Sequence, residues 1–305
     1  MVTRRKSSLP RSGRARAAAA STCLLAGGLL LAACGDEAED ATPLAITFTP
    51  RVGAQPFACG TSYPGLGSAA SSVSFADFRL FVSDVEAVDT AGALHPLALV
   101  PDGKWQNEHT ALLDFENAVG ACGELGTTET NGTLNVTGNV KNMTKLRFTL
   151  GVPEAQNHQN VGLAPAPLSL GAMFWSWQGG YKFLRLDFAS EAPGAAAPTP
   201  FLVHLGSTGC QSASQTEAPA TACGRPNRVT VELTGFDPAR PQVVVDVATL
   251  LAGSNLGVNT PNTAPGCMSA PDDPECLALM PNLGLDVATG QCVSGCAAQK
   301  LFRIE

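Results

Sequence analysis

The chain has 305 residues, 45% of them hydrophobic, and it carries 19 Lys and Arg side chains against 26 Asp and Glu side chains. Its formal net charge at pH 7 is therefore −7. An acidic surface repels nucleic acid and anionic lipid, so the composition argues against a nucleic-acid-binding protein and favours solubility or a basic partner.

The first 33 residues have the layout of a bacterial lipoprotein signal. Six basic residues precede an apolar run over residues 17–33, which ends in Leu-Ala-Ala-Cys at residues 31–34. We predict that residues 1–33 are a signal peptide, that Cys34 carries lipid and that residues 34–44 include an acidic tether. The alternatives are an ordinary signal peptide or a membrane anchor, although the run is short for a spanning helix. The predicted location is the periplasmic face of a membrane, with the outer membrane preferred.

Loss of the six basic residues of this leader makes the remaining chain more acidic. Of the 19 basic side chains 13 then remain, against 26 acidic ones, which gives a balance of −13. This charge is compatible with a basic docking face on a partner.

Residues 45–305 are predicted to form one all-β domain, a β-sandwich with long loops. Segments rich in β-branched and aromatic residues, bounded by Gly, Pro and Asn, predict strands. The predicted strands cover residues 73–88, 145–150, 181–188, 228–233 and 242–247. In the third of them, alternation places Lys182, Leu184, Leu186 and Phe188 on one face. Residues 190–200 are predicted to form a flexible loop between two strands, and residues 246–252 are predicted to form a short helix.

Eight of the ten cysteines belong to the predicted domain, because Cys23 lies in the leader and Cys34 is the lipidation site. An even number in an exported protein predicts four disulfides, and the local pair Cys210–Cys223 is the simplest one to expect. The Cys-rich segment 264–296 lacks the paired CxxC of a zinc ribbon, so two disulfides are favoured there over a zinc site. The eight residues are Cys59, Cys122, Cys210, Cys223, Cys267, Cys276, Cys292 and Cys296.

Candidate metal ligands are few, since the chain has only four histidines. His158 lies in a polar loop directly after the strand 145–150, and His204 lies in a further strand at 201–206. A lone histidine is usually a hydrogen-bonded structural residue, and we favour that interpretation for His95 and His109. Imidazole nitrogen is nonetheless a common ligand of copper and zinc.

Two of the three tryptophans stand one residue apart in the stretch GAMFWSWQGGYKF at 171–183. In an extended segment Met173, Trp175 and Trp177 share a face, as in many sheet cores. Taken alone, this pattern favours core packing. The chain contains no GxSxG, HExxH, phosphate-binding loop or CxxCH motif.

The sequence resembles the MbnP-type family, also called metallo-mystery pair four-Cys motif proteins. The resemblance rests on four pieces in the right order over most of the chain. These are LRFTLGVP followed by NH (146–158), MFWSWQGGYKF (173–183), HLGSTGC (204–210) and the terminal four-cysteine segment.

This resemblance implies a copper protein that matures by oxidation of a tryptophan. The first Trp of WxW, here Trp175, would be oxidised to kynurenine by a dihaem partner of the cytochrome c peroxidase/MauG (MbnH) type. Kynurenine would then help to bind one Cu(I) together with His158 and His204, with Met173 as a weaker candidate ligand. Trp177 would assist the oxidation or pack the site.

Two other functions are compatible with parts of the sequence. One is a structural or adhesive β-sandwich lipoprotein with core tryptophans and no metal. The other is a hydrolase using Ser207 and His204, which no elbow motif supports. We expect that the protein is not itself an enzyme.

Overall fold

The computed structural model describes residues 41–124 and 126–305. The predicted signal peptide, the predicted lipidation site Cys34 and the predicted tether up to residue 40 lie outside the described residues. Among the helices of the described part, none is long and apolar enough to cross a membrane.

Strands dominate the described chain, as the sequence predicts. In chain order they are β1 (Thr42–Val52), β2 (Gln55–Pro56), β3 (Ser62–Leu66), β4 (Ser71–Asp89), β5 (Leu94–Leu99), β6 (Thr110–Asp114), β7 (Thr133–Gly138), β8 (Met143–Leu150), β9 (Phe174–Ser176), β10 (Gly180–Tyr181), β11 (Leu184–Glu191), β12 (Thr199–Leu205), β13 (Val229–Thr234), β14 (Gln242–Asp246), β15 (Gly266–Cys267) and β16 (Phe302–Arg303). The helices are α1 (Glu154–Asn157), α2 (Val247–Leu251) and α3 (Cys276–Asn282), with 3-10 turns at Gly120–Glu124, Gly171–Met173 and Val293–Cys296.

A curled 14-stranded sheet builds the domain around the long strand β4, and β9 and β10 form a separate two-stranded sheet. The strand order is β15-β12-β11-β4-β5-β7-β1-β14-β16, and β3, β6 and β8 also pair with β4. Phe48 on β1 and Phe148 on β8 meet with ring centroids 5.6 Å apart, and both rings are buried. Because these strands come from opposite halves of the sheet, the contact shows that the two halves enclose one core. The all-β fold is confirmed.

The predicted strands are found, with two differences. The segment 181–188 is interrupted, since β10 ends at Tyr181 and β11 begins at Leu184. The strand β1 begins at Thr42 and thus includes residues 42–44 of the predicted tether, because its backbone pairs with β7 from Thr42 onward. The predicted helix at 246–252 is α2, and the predicted loop at 190–200 is shorter than expected, since residues 192–198 connect β11 to β12.

All four predicted disulfides are present. Cys210 is bonded to Cys223, as the local spacing indicates. The C-terminal cysteines form the two staples Cys267–Cys276 and Cys292–Cys296, and the remaining pair is Cys59–Cys122. The preference for disulfides over a zinc site in segment 264–296 is therefore confirmed.

The face of β11 opposite to its leucines is also buried, which sequence alternation does not predict. Arg185 and Asp187 are both 7% exposed. In the antiparallel ladders, Arg185 lies opposite Arg79 on β4 and opposite His204 on β12. The register thus places charged side chains and a histidine side by side inside the protein.

Candidate metal centre

His204 lies on β12 with one ring nitrogen bonded and the other free. Its Nε2 is 2.6 Å from Oδ1 of Asp187 on the neighbouring strand β11. Its Nδ1 is buried and has no hydrogen-bond partner among the described residues. Buried polar atoms are nearly always satisfied, so this unpaired imidazole nitrogen is a candidate ligand atom.

Asp187 is held as a carboxylate by its neighbours. Burial disfavours its charge, but the hydrogen bond with His204 and the charge of Arg185 outweigh burial and lower the pKa of Asp187. Arg185 donates to Oδ2 of Asp187 from Nε at 2.8 Å and lies 2.6 Å away through Nη2. The ion pair fixes the carboxylate and leaves Oδ1 for His204.

The ion pair continues into the sheet. Nε of Arg185 lies 3.2 Å from Oδ2 of Asp77, and Nε of Arg79 donates to Oδ1 of Asp77 at 2.8 Å. Burial is the largest influence on Asp77 and raises the pKa of that carboxyl above its usual range, despite the two arginines. His204 is thus the end of a row of buried charged residues that crosses three strands.

Trp175 on the short strand β9 packs beside His204. The two ring centroids are 6.3 Å apart and the rings are tilted by 49°. The indole lies against Gly206, where an added Cβ would stand 2.5 Å from its Cζ3 atom. Trp175 is only half-buried and lines an open cavity of about 370 Å³ with Gly209 and Met268, among others. The indole is therefore accessible from solvent and is not a fully buried core ring.

His158 directly follows α1 and contacts the turn after β9. Its Nδ1 is 2.9 Å from the carbonyl oxygen of Trp177. A carbonyl only accepts, so Nδ1 carries a proton, and in the neutral ring the lone pair is then on Nε2. Nε2 lies 3.2 Å from Nδ2 of Asn157 and 3.4 Å from Sγ of Cys223.

Ligand atoms of His158, Cys210 and Cys223 all lie within 4.8 Å of one another. The two sulfurs are bonded to each other in a disulfide, and the thiolate is the form of cysteine that binds metal. In the oxidised protein this cluster therefore offers only the imidazole.

Asn157 connects the His158 loop to the segment that follows Trp177. Its Oδ1 accepts from the backbone N–H of Tyr181 at 2.9 Å, and its Nδ2 donates to Oγ of Ser207 at 3.4 Å. Gly180 has φ +74°, and a Cβ there would stand 2.5 Å from the carbonyl oxygen of Asn157. The second glycine of GGYKF is thus required by both its backbone angle and this close approach.

Met173 and Trp177 do not share a strand face with Trp175, so the predicted stripe is wrong. Residues 171–173 form a 3-10 turn, and β9 covers only Phe174–Ser176. Met173 is fully buried in the core, and Trp177 is half-buried in the following turn. The strand is short because Gly179 and Gly180 reverse the chain to pair β10 with β9.

The other histidines and Ser207 lie in different environments. His95 is bonded to Asp89 at 3.0 Å on the far end of β4, as a structural histidine would be. His109 is exposed and lines another cavity with Asp84 and Glu108. Oγ of Ser207 donates to the carbonyl of Pro226 at 3.0 Å, so its proton is directed away from His204.

Sequence reasoning missed Asp187, Arg185, Asn157 and Gly206. The signal for the first two is the pattern Arg-x-Asp inside an apolar strand, where charged residues on alternate positions need buried partners.

The chain is similar to known proteins in both sequence and structure. The family model of MbnP matches residues 41–269. Among solved structures, MbnP from Methylosinus trichosporium is similar, with 29% sequence identity, a TM-score of 0.71, and coverage of 86% of this chain and 98% of that one. Among curated proteins, none matches the sequence significantly.

Proposed function

Because the chain belongs to the MbnP family, we propose that it is a lipid-anchored periplasmic copper-binding protein and not an enzyme. Membership makes it a protein of the metallo-mystery pair system and confirms the resemblance carried by the tryptophan motif. The family is linked to metal binding in general. In the proposed function, His158, His204 and a kynurenine made from Trp175 bind one Cu(I) in copper homeostasis.

One observation carries the proposal: the buried, unbonded Nδ1 of His204 beside the ring of Trp175. A neutral imidazole nitrogen is a good ligand for copper, and burial without a partner leaves it available for a metal. His158 would offer Nε2 to the metal. Its Nδ1 is bonded to the carbonyl of Trp177, so the lone pair of the neutral ring is on Nε2. The residues present fit a soft metal ion. Met173 remains a weak candidate, because its full burial is compatible with packing alone.

The modification of Trp175 would supply the remaining donor. Indole nitrogen has no available lone pair, whereas kynurenine carries a free aromatic amine. Cleavage of the C2–C3 bond of the pyrrole ring adds two oxygen atoms and removes four electrons, and hydrolysis of the resulting formyl amide then releases C2 as formate. Two equivalents of hydrogen peroxide, reduced to water at the dihaem MauG-like (MbnH-type) partner, would accept the four electrons. The half-exposed position of Trp175 supports removal of electrons by such an external partner, and Trp177 is a neighbouring ring that would assist.

The first experiment is a peptide map and a copper analysis of protein purified from its native host with copper present. We expect the Trp175 peptide to have the mass of kynurenine and the bound copper to follow the modified fraction. Unmodified Trp175 without copper, although the partner peroxidase is expressed, would contradict the proposal. It would favour the alternative function, a structural lipoprotein without a metal site.

Replacement of the modified residue gives the second test. Trp175→Phe retains an aromatic ring but cannot yield an aromatic amine, so we expect most of the copper to be lost while the midpoint of thermal unfolding changes little. The matched control is Trp105→Phe, since Trp105 lies under Nζ of Lys104 in another part of the surface. Equal copper loading of both variants would show that kynurenine at residue 175 is not a ligand.

A further inference from the structure

We propose that His204 presents Nδ1 to the metal and that Asp187, anchored by Arg185, is the positioning residue that enforces this choice. The proposal rests on the copper-binding function proposed above and adds the ligand atom and the group that selects it. The three side chains concerned are Arg185 and Asp187 on β11 and His204 on β12.

The hydrogen bond to Asp187 determines the tautomer of His204. A carboxylate oxygen only accepts, so the contact of 2.6 Å between Nε2 and Oδ1 requires the proton on Nε2. The lone pair of the neutral ring is then on Nδ1, which is the buried atom without a hydrogen-bond partner in the described part of the chain. Metal-binding histidines commonly donate their other N–H to a carboxylate, which fixes both the tautomer and the ring orientation.

Arg185 makes this arrangement rigid. It lies against Oδ2 of Asp187 through Nε and Nη2, and the same Nε lies 3.2 Å from Oδ2 of Asp77. Its Nη1 also donates to the carbonyl of Ala172 at 3.1 Å, three residues before Trp175. The guanidinium thus connects the carboxylate that orients His204 with the segment that carries the tryptophan.

The substitution Asp187→Asn should change the tautomer of His204 while it nearly preserves the shape of the side chain at residue 187. The carboxylate uses one oxygen for each neighbour, whereas an asparagine has a single oxygen. The always charged Arg185 retains that oxygen, so the amide NH₂ faces Nε2 of His204. An NH₂ group only donates, so Nε2 must accept and the ring proton moves to Nδ1, where it blocks metal coordination.

The test measures histidine tautomers and copper affinity in the same full-length proteins. Copper-free protein labelled with ¹⁵N at histidine is examined by long-range ¹H–¹⁵N correlation, and assignments come from substitution of the other histidines one at a time. We expect Nε2–H at His204 and, as an internal reference, Nδ1–H at His158. In Asp187→Asn we expect His204 to switch to Nδ1–H. The control Asp237→Asn breaks an exposed pair with Arg240 and should change neither ring.

Copper affinity is then measured on kynurenine-containing protein by competition with a Cu(I) chelator. We expect Asp187→Asn to bind Cu(I) about 10- to 100-fold more weakly than the wild type, as for loss of other groups that orient metal ligands. Asp237→Asn should bind as the wild type does.

A proton on Nδ1 of His204 in the wild-type protein would overturn the inference, and that measurement does not depend on the folding of any variant. A switched tautomer with unchanged Cu(I) affinity would overturn it as well. Failure of the copper-binding function itself has a different signature, namely wild-type protein that contains kynurenine, has Nε2–H at His204 and yet binds no copper.

Discussion

Gly206 allows the indole of Trp175 to lie directly against the backbone after β12. A Cβ at this residue would stand 2.5 Å from Cζ3 of Trp175 and 2.7 Å from the carbonyl oxygen of Tyr181. The backbone carbonyl cannot move easily, so the half-buried indole is the neighbour that would have to shift. The absence of one methyl group therefore sets where the modifiable ring lies relative to His204.

We expect Gly206→Ala to push the indole out of its position. Overpacking of this kind costs about 1–3 kcal/mol of the free energy of unfolding, and the fraction of kynurenine formed should fall because the ring is misplaced. Urea unfolding and the peptide map measure the two effects. Gly171→Ala is the matched control, since an added Cβ at Gly171 meets no atom within 4 Å. If the two alanine variants have the same stability and modification, the close approach at Gly206 is not a constraint.

At the scale of elements, local patterns predicted what depends on local physics. The strands β4, β8, β13 and β14 follow from runs of β-branched and aromatic residues, and α2 begins after Asp246, whose side chain accepts from the N–H of Ala248. The ligand candidates His158 and His204 could be chosen from the sequence because the chain has so few histidines. The burial of Arg185 and Asp187 could not be predicted, because it depends on which strands flank β11 and on their register. Alternation within one strand contains no such information.

The number of disulfides also follows from the sequence, because eight cysteines in an exported chain predict four pairs. Their contributions to stability should differ. Cys59–Cys122 closes a sequence separation of 63 residues and Cys292–Cys296 one of 4. By loop-closure entropy, the long link should contribute about 4 kcal/mol to the free energy of unfolding and the short link about 2 kcal/mol.

Paired Cys→Ser replacements test this difference without leaving free thiols. We expect Cys59→Ser with Cys122→Ser to lower the urea midpoint clearly more than Cys292→Ser with Cys296→Ser. The reverse order would mean that the short staple holds native packing of the C-terminal segment, and that chain entropy is the smaller effect.

For the whole molecule, the curled sheet encloses two kinds of interior. One is the aromatic core around Phe48 and Phe148, and the other is the row of charged residues from His204 to Arg79. The row continues to Asp114 on β6, which lies opposite Arg79 in the ladder with β4. A polar row inside a small domain costs stability unless every charge is compensated. At the far end of the row the three carboxyl groups of Asp77, Asp114 and Glu116 all interact with Arg79, so the charges there are not balanced.

Asp114 is where this imbalance should be measurable. Burial, with added repulsion from Glu116 and Asp77, outweighs the attraction of Arg79 and raises the pKa of Asp114 from 3.8 to about 7. The folded protein then retains a proton that the unfolded chain releases near pH 4. Between these two pKa values unfolding releases a proton, so this group's contribution to stability is fully present below about pH 4 and is lost as the pH rises to about 7.

Asp114→Asn removes the titration and nearly preserves the shape of the side chain. The difference in free energy of unfolding, wild type minus variant, should decline between about pH 4 and pH 7 by at most roughly 4 kcal/mol, and then level off. Urea unfolding of both proteins at intervals across this range provides the measurement. Carboxyls with lowered pKa, such as Asp187, have the opposite trend, but they are present in both proteins and cancel in the difference. A difference that is constant with pH would show that Arg79 keeps Asp114 ionised, and that the row of charges is balanced along its whole length.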